Sequence, residues 1–474
     1  MVNAVVITRS QSICSFLYAN GNQCQVARVD NTSYCADPGP QNLPGFEGRS
    51  VFLAQLPAIL DTLCLIEHAE LARPGNHAKP LTIDAATLPG GMWNVHVPIE
   101  FSDGVKWIAR IRRKTVRAWP ALVERHFMQG EIDLLRWIAE TGAAPAPKVM
   151  SSIFTHGAAD FYFMELIPGS SCADPIWKGV PREQTSRTLL DYAKINIERS
   201  KHPLRLTGAL HRDKDSGTYT VGPLYTRDIT NISPPQFPGP WKTVALKYKW
   251  QFDYLLDTIR AGQLYSRQRK KAFLVHRWMK DAVMAYPPYN VEDEDTFPLN
   301  NDSNGGHIMV DARGGITGLI DWEGASVGPK CEAFAIPQAF EERLFFDGSN
   351  ELSWAELELA DAYKSLGRPD LAECITLGKP YQWISILIYG GSWHQYKWVK
   401  ALGVSVGYEM EDNEKDFLSR QRKTYKAEFR ALKKMWAEEE AVKAQTEQGV
   451  TEGTGAKADV SDIGDSRCEG GMAV

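Results

Sequence analysis

The sequence predicts an α+β chain of two lobes, a small β-rich lobe holding one helix and then a larger, mainly helical lobe. Three observations predict it. Short β-rich runs separated by glycine turns occupy 81–112, strong helical periodicity follows at 120–142, and beyond 169 helical periodicity dominates, broken by a β-rich island at 307–321.

Composition admits a buried core and excludes several classes of function. Of 474 residues, 43% are hydrophobic and 23% charged, ordinary proportions for a globular chain. The formal charge is only -5, and no Lys/Arg stretch is interleaved with aromatics, which argues against a nucleic-acid partner. The run RIRRKTVR at 110–117 follows a strand-like stretch and reads as a solvated strand end. Eight cysteines, at 14, 24, 35, 64, 172, 331, 374 and 468, form no C-x-x-C pair and no zinc spacing with His, so reduced thiols are expected. The segment MVNAVVITRSQSICSFLYANG lacks a basic lead and a long apolar run, and no stretch of about 18 apolar residues occurs anywhere. A cytoplasmic location with no membrane span is the expectation.

Residues 1–48, rich in Asn, Gln, Gly, Pro and Ser, read as a poorly ordered arm. The helical lead-in and small lobe then occupy 49–168. Helical spacing marks 50–72, and a meander of strands follows from 81, with turns at Gly90-Gly91 and Asp103-Gly104. On the next helix Leu122, Phe127, Ile132, Leu135 and Ile138 share one face, and Gly142 closes it. A strand pair is expected at 149–168. The helical lobe spans 169–440, with candidate helices at 184–199, 241–261, 265–285, 354–366, 380–402 and 413–440. The aromatic stretch 381–398 reads as core before pocket lining. The tail 441–474 carries few large apolar residues and is expected to be disordered.

The chemistry concentrates in FPLNNDSNGGHIMVDARGGITGLIDWEGASVGP, residues 297–329. Two β-rich runs joined by Arg313-Gly314-Gly315 read as a hairpin. Asp302 lies in the loop entering its first strand and Asp321 at the exit of its second, so antiparallel pairing brings the two acids to one end. Phosphoryl transfer needs that arrangement: one carboxylate to orient or deprotonate a hydroxyl, another to hold the metal that bridges the nucleotide phosphates. Against it stands the ordinary use of Asp in turns and at strand ends.

These residues resemble the active-site hairpin of the aminoglycoside phosphotransferase-like family, in particular its fungal branch, where H-x-D-x-x-x-x-N-I-x-V-D precedes I-x-x-I-I-D-W-E. The resemblance implies a bilobal protein-kinase-like fold, with Asp302 as base and Asp321 as metal-binding acid, followed by the matching Trp322-Glu323. It implies that Gly90 and Gly91 sit at the nucleotide loop, that Arg110 contacts phosphates with Glu131 orienting it, and that Phe163-Met164-Glu165-Leu166 is the adenine hinge, with Glu165 and Ile167 as its contacts. TGALHRDKDSGTYTVGPLYTR at 207–227 resembles an insertion of the fungal branch. The implied partners are ATP or GTP with Mg2+, and a small-molecule acceptor bearing a hydroxyl.

Two positions depart from the family pattern: Asn300 stands where it has His, and His307 where it has a metal-binding Asn. An imidazole there favours Mn2+ or zinc over Mg2+. Alternatively, one metal on Asp321 suffices, or the chain is a nucleotide-binding pseudoenzyme with a regulatory or scaffolding role. A protein kinase proper is disfavoured by the absence of H-R-D and A-P-E signatures.

Overall fold

The computed structural model describes residues 25–29, 32–36, 58–60, 63–82, 88, 93–113, 121–155, 159–172, 179–224, 237–388 and 393–453. It divides into units of Met1–Leu418 and Ser419–Val474. Within the expected N-terminal arm, β1 (Gln25–Val29) and β2 (Thr32–Ala36) pair as a hairpin, and α1 (Leu65–Ala72) follows. The turn at Gly90-Gly91 lies outside the described residues.

In the small lobe β3 (Ala78–Pro80), β4 (Asn94–Phe101), β5 (Lys106–Arg112) and β6 (Phe161–Glu165) form one antiparallel sheet in chain order. The β4–β5 turn is the expected Asp103-Gly104, with Gly104 at φ +83°, a left-handed conformation that glycine adopts without steric cost. The pair expected at 149–168 keeps only its second strand. Val149 and Phe154 make single bridges to Met164 and Phe161, because the Ser151 hydroxyl accepts the Phe163 N–H at 2.9 Å, taking a donor that a ladder would use.

Alternation along β5 sorts its side chains. Trp107, Ala109 and Ile111 enter the apolar core of the sheet with Val95, Val97, Phe161 and Phe163, so Arg110 and Arg112, one residue out of phase, project from the opposite face. Helix α2 (Ala121–Thr141) covers that face: Met128 and Ile132 pack against Tyr162 and Met164 of β6. Further along, Leu134, Leu135 and Ile138 join the core of the helical lobe. One amphipathic helix therefore binds both lobes, and it ends where predicted, at Gly142 with φ +70°.

The short β7 (Ser170–Ser171) is followed by α3 (Arg182–Arg199), the hairpin β8 (Ala209–Arg212) and β9 (Tyr219–Gly222), then α4 (Val244–Arg260) and α5 (Arg269–Ala285). Next β10 (Thr296–Leu299) pairs with β13 (Ser326–Pro329), enclosing β11 (Ile308–Val310) and β12 (Ile316–Leu319), which pair with each other. Beyond them lie α6 (Lys330–Ala333), α7 (Arg343–Phe346), α8 (Trp354–Ser365), α9 (Pro369–Leu377), α10 (Lys379–Ile388) and α11 (Tyr396–Ser405). The stretch read as one helix at 380–402 is thus two. Of its aromatics Tyr381, Trp383 and Trp393 are core, whereas Tyr396 and Trp398 are half-buried. At the C-terminal end α12 (Glu414–Thr424) spans the unit boundary and α13 (Lys426–Gly453) continues into the stretch expected to be disordered. No helix among the described residues is long and apolar enough to cross a membrane.

Candidate active site

The hairpin β11–β12 pairs Ile308 with Leu319 and Met309 with Gly318. Its turn is built by Asp311, whose Oδ1 accepts the N–H groups of Arg313 and Gly315, both at 2.8 Å. At the open end the Ile320 N–H donates to the His307 carbonyl at 2.9 Å, and the loop carrying Asp302 lies beside the residues leaving β12.

Asn300 ties that loop to the exit of β12. Its Nδ2 donates to the carbonyls of Ile320 at 3.2 Å and Asp321 at 3.0 Å, while its Oδ1 accepts the Asp302 N–H at 3.0 Å. An amide, with a donor and an acceptor on one planar group, can hold both acidic residues by their backbones at once. Asp321 itself has φ +56°, a left-handed conformation that costs a non-glycine residue about 1–2 kcal/mol and is held here by its clamped carbonyl.

His307 lies between the two acids. Its Nδ1 donates to the Asp302 carbonyl at 2.6 Å, and its Nε2 stands 3.2 Å from Asp321 Oδ2. Since a carbonyl only accepts, Nδ1 carries a proton, and Nε2 is the ring nitrogen that faces the Asp321 carboxylate. The Asp302 carboxyl is more open, with 60% side-chain exposure, and accepts from Asn304 Nδ2.

Across from the hairpin stand Arg110 and Arg112, buried at 2% and 3% exposure together with Arg113. The reading of 110–117 as a solvated strand end is therefore incorrect for these three; 114–117 lie outside the described residues. Both arginines are buried because each meets carboxylates from two directions. Arg110 Nε bonds Glu131 at 2.9 Å, and its Nη2 bonds Asp321 Oδ1 at 2.7 Å and Glu323 Oε2 at 2.9 Å. Arg112 Nε donates to Glu124 at 2.5 Å, and its Nη1 to Glu323 Oε1 at 2.7 Å. The result is a ladder of two rungs, Glu131–Arg110–Asp321 and Glu124–Arg112–Glu323.

Local periodicity builds the ladder: residues two apart on a strand share a face, Asp321 and Glu323 are likewise two apart, and Glu124 and Glu131 are two helical turns apart. Tyr162 closes one end, its hydroxyl donating to Glu131 at 2.8 Å. Asn94 Nδ2 donates to Glu323 Oε2 at 2.7 Å. His96 Nε2 accepts from Arg110 Nη1 at 3.0 Å; burial and then the Arg110 charge push His96 down to about 3, so it stays neutral.

Burial would raise the Asp321 carboxyl, but the charges of Arg110 and His307 outweigh it and hold the group well below the carboxylate range. Glu131 shares the same guanidinium yet is raised, because its burial is the larger effect and the Asp321 charge adds to it.

Of the residues singled out in the sequence, Arg110, Glu131, Asp302, His307 and Asp321 come together. The hinge residues stand apart from this ionic cluster: Glu165 Oε2 accepts the Lys148 N–H at 3.3 Å, and Ile167 lies against Gly318, where a Cβ would come within 2.7 Å of its Cγ2. Arg112, Glu124, Asn94, His96 and Tyr162 were not anticipated, nor was a bonding role for Glu323. The matched two-residue spacings in the strand and after the hairpin are the signal that could have found the second rung.

The phosphotransferase enzyme family matches residues 99–336, a span that contains every charged member of the ladder as well as Asp302 and His307. None of the curated proteins matches the chain. Among solved structures the chain is similar to the gentamicin complex of APH(2")-IIa, at 11% identity over 73% of this chain and 96% of the other, with a TM-score of 0.40. The streptomycin–ATP ternary complex of APH(2")-IIa gives 13% identity, the same coverages and 0.40. A thermostable mutant of aminoglycoside phosphotransferase APH(4)-Ia with AMP-PNP and hygromycin B gives 15%, 72%, 99% and 0.39. With the family matching half of the sequence and both sides of the ladder, the chain belongs to the phosphotransferase enzyme family and has its bilobal, protein-kinase-like α+β fold.

Proposed function

We propose that the chain transfers the terminal phosphoryl group of ATP, or GTP, to a hydroxyl of a small molecule. The observation that carries this reading is the meeting of Asp302, His307 and Asp321 at the open end of the hairpin, opposite an arginine already oriented by Glu131.

In this mechanism Asp302, whose carboxyl is the exposed one, accepts the proton of the acceptor hydroxyl as that oxygen bonds to the γ-phosphorus. The bond from phosphorus to the bridging oxygen breaks, and the nucleoside diphosphate leaves. Arg110 contacts the phosphates, held by Glu131 and His96 so that little reorganisation accompanies transfer. The small lobe clamps the nucleotide, with Gly90, Gly91, Glu165 and Ile167 contributing to its seat, and the helical lobe supplies acceptor specificity.

A divalent cation fits the donors present. Asp321 Oδ2 and His307 Nε2 face one another at 3.2 Å, and an imidazole nitrogen that gives up its proton can offer a lone pair to a cation beside the carboxylate oxygen. Among the described residues no cluster of three or more His, Cys, Asp or Glu could hold a metal, so the other ligands would be phosphate oxygens and water, as is usual for Mg2+. Bound there, the cation would neutralise charge on the phosphates, and the imidazole favours Mn2+ relative to a site of oxygens alone.

The test is nucleotide turnover with Mg2+ and with Mn2+ across a panel of hydroxyl acceptors, paired with nucleotide affinity. Asp302→Asn is expected to lower transfer by about 100-fold or more while leaving nucleotide affinity within about twofold. Turnover retained in that variant would remove Asp302 as base. Nucleotide binding without turnover in either metal would favour the pseudoenzyme.

A further inference from the structure

Glu323 is positioned to do more than follow the metal-binding acid. It is almost fully buried, at 4% side-chain exposure, whereas Asp321 keeps 35%. Its two oxygens are divided between the two arginines, Oε1 to Arg112 at 2.7 Å and Oε2 to Arg110 at 2.9 Å, and Oε2 also accepts from Asn94. It therefore joins both central strands of the small lobe, β4 through Asn94 and β5 through the arginines, to the end of the catalytic hairpin.

The two rungs differ in what a bound nucleotide would do to them. Asp321 Oδ1 is engaged by Arg110, and a cation on Asp321 together with phosphates on Arg110 would compete for both partners of that contact. The second rung offers no such opening, because Glu124, Arg112 and Glu323 are all at most 11% exposed. It can persist while the first rung exchanges.

We propose that Glu323 is a positioning residue: through Arg112 and Asn94 it keeps the small lobe in register with the hairpin, so that Arg110 remains aimed at the phosphates once its contact with Asp321 is given up. This rests on the phosphotransfer reading. The geometry demands a carboxylate of this length. Gln at 323 would face one arginine with an NH2 group, and Asp would fall one methylene short of bridging both.

The experiment compares wild type with Glu323→Gln and with the milder Arg112→Lys, which keeps the charge and loses the planar fork. A nonhydrolysable ATP analogue with Mg2+ or Mn2+ is titrated against each, and hydrogen exchange is followed in peptides covering 94–112 and 316–323. Expected is a 10- to 100-fold loss of nucleotide affinity in each variant, in the range seen when a partner orienting a ligating group is removed. The double variant should be little worse than either single, because both changes break the same Arg112–Glu323 contact on which the clasp depends. Faster exchange should appear together in both peptides, while the melting transition stays cooperative. Affinity within twofold of wild type in both single variants, or losses that multiply in the double variant, would overturn the proposal. Should wild type itself fail to bind the analogue, the phosphotransfer reading falls. The positioning role is then overturned too if exchange is unchanged, whereas joint exposure of both peptides supports the clasp as an element of the fold.

Discussion

Replacing Arg110 with methionine removes the cation that Glu131, Asp321 and Glu323 share, without opening a large cavity. Its guanidinium makes contacts of 2.7–3.0 Å to these three carboxylates and to His96. The consequences differ by partner. Asp321 reaches solvent, and Glu323 retains Arg112 and Asn94. Glu131, at 2% exposure, keeps only the Tyr162 hydroxyl of the partners named here. The cost is therefore that of one stranded buried carboxylate, about 3–5 kcal/mol, a large part of the roughly 5–15 kcal/mol that stabilises a native domain. The pH dependence has a definite sign. Burial already raises Glu131 above its ordinary 4.5, and loss of Arg110 raises it further. Between the unfolded and folded values the native state then binds the extra proton, so the stability of the variant falls as pH rises through that window. Urea unfolding at pH 5 and pH 8, with an unchanged denaturant slope, is the assay. Arg110→Met should lose more at pH 8 than at pH 5, and adding Glu131→Gln should recover more than half of the loss at pH 8. A loss below about 1 kcal/mol, well under the range for a broken buried pair, or one independent of pH, would refute the ladder as described.

His307→Asn restores an amide oxygen beside Asp321 and should shift the ratio of Mg2+- to Mn2+-supported turnover toward Mg2+ by about tenfold; an unchanged ratio would remove His307 from the metal site. Glu294, on the loop before β10, is raised to about 7 by burial and then by Glu332 and Asp295. Its stabilising effect is complete below about 4.5 and lost as pH rises toward 7, so Glu294→Gln should flatten a decline of about 1–2 kcal/mol in unfolding free energy over that range, discounted for partial exposure. A decline of the same size in the variant would assign it to another group.

What the sequence determined by itself was whatever short-range periodicity encodes. The helix of 121–141 with its buried Phe127, Ile132, Leu135 and Ile138, the Asp103-Gly104 turn and the hairpin holding Asp302 and Asp321 at one end are set by spacings of two to five residues, and all appear at nearly the predicted bounds. Serine competition for a backbone donor is local too, but too weak to read in advance, and the strand expected near 149 was lost to Ser151. Tertiary structure alone decided the fate of the charges. Arg112 and Arg113 look solvent-facing in a run of basic residues, and they are buried. For Arg112 the compensation lies 12 residues away in Glu124 and 211 away in Glu323, separations that no periodicity spans. A buried guanidinium needs acceptors that converge on it, and for Arg112 these are carboxylates, so its burial, the second rung and the bridging of both arginines by Glu323 are consequences of packing β5 between α2 and the end of the hairpin. Asn300 belongs to the same class. In the sequence it is a departure from a motif, and in the fold it is the amide that holds Asp302 and Asp321 together.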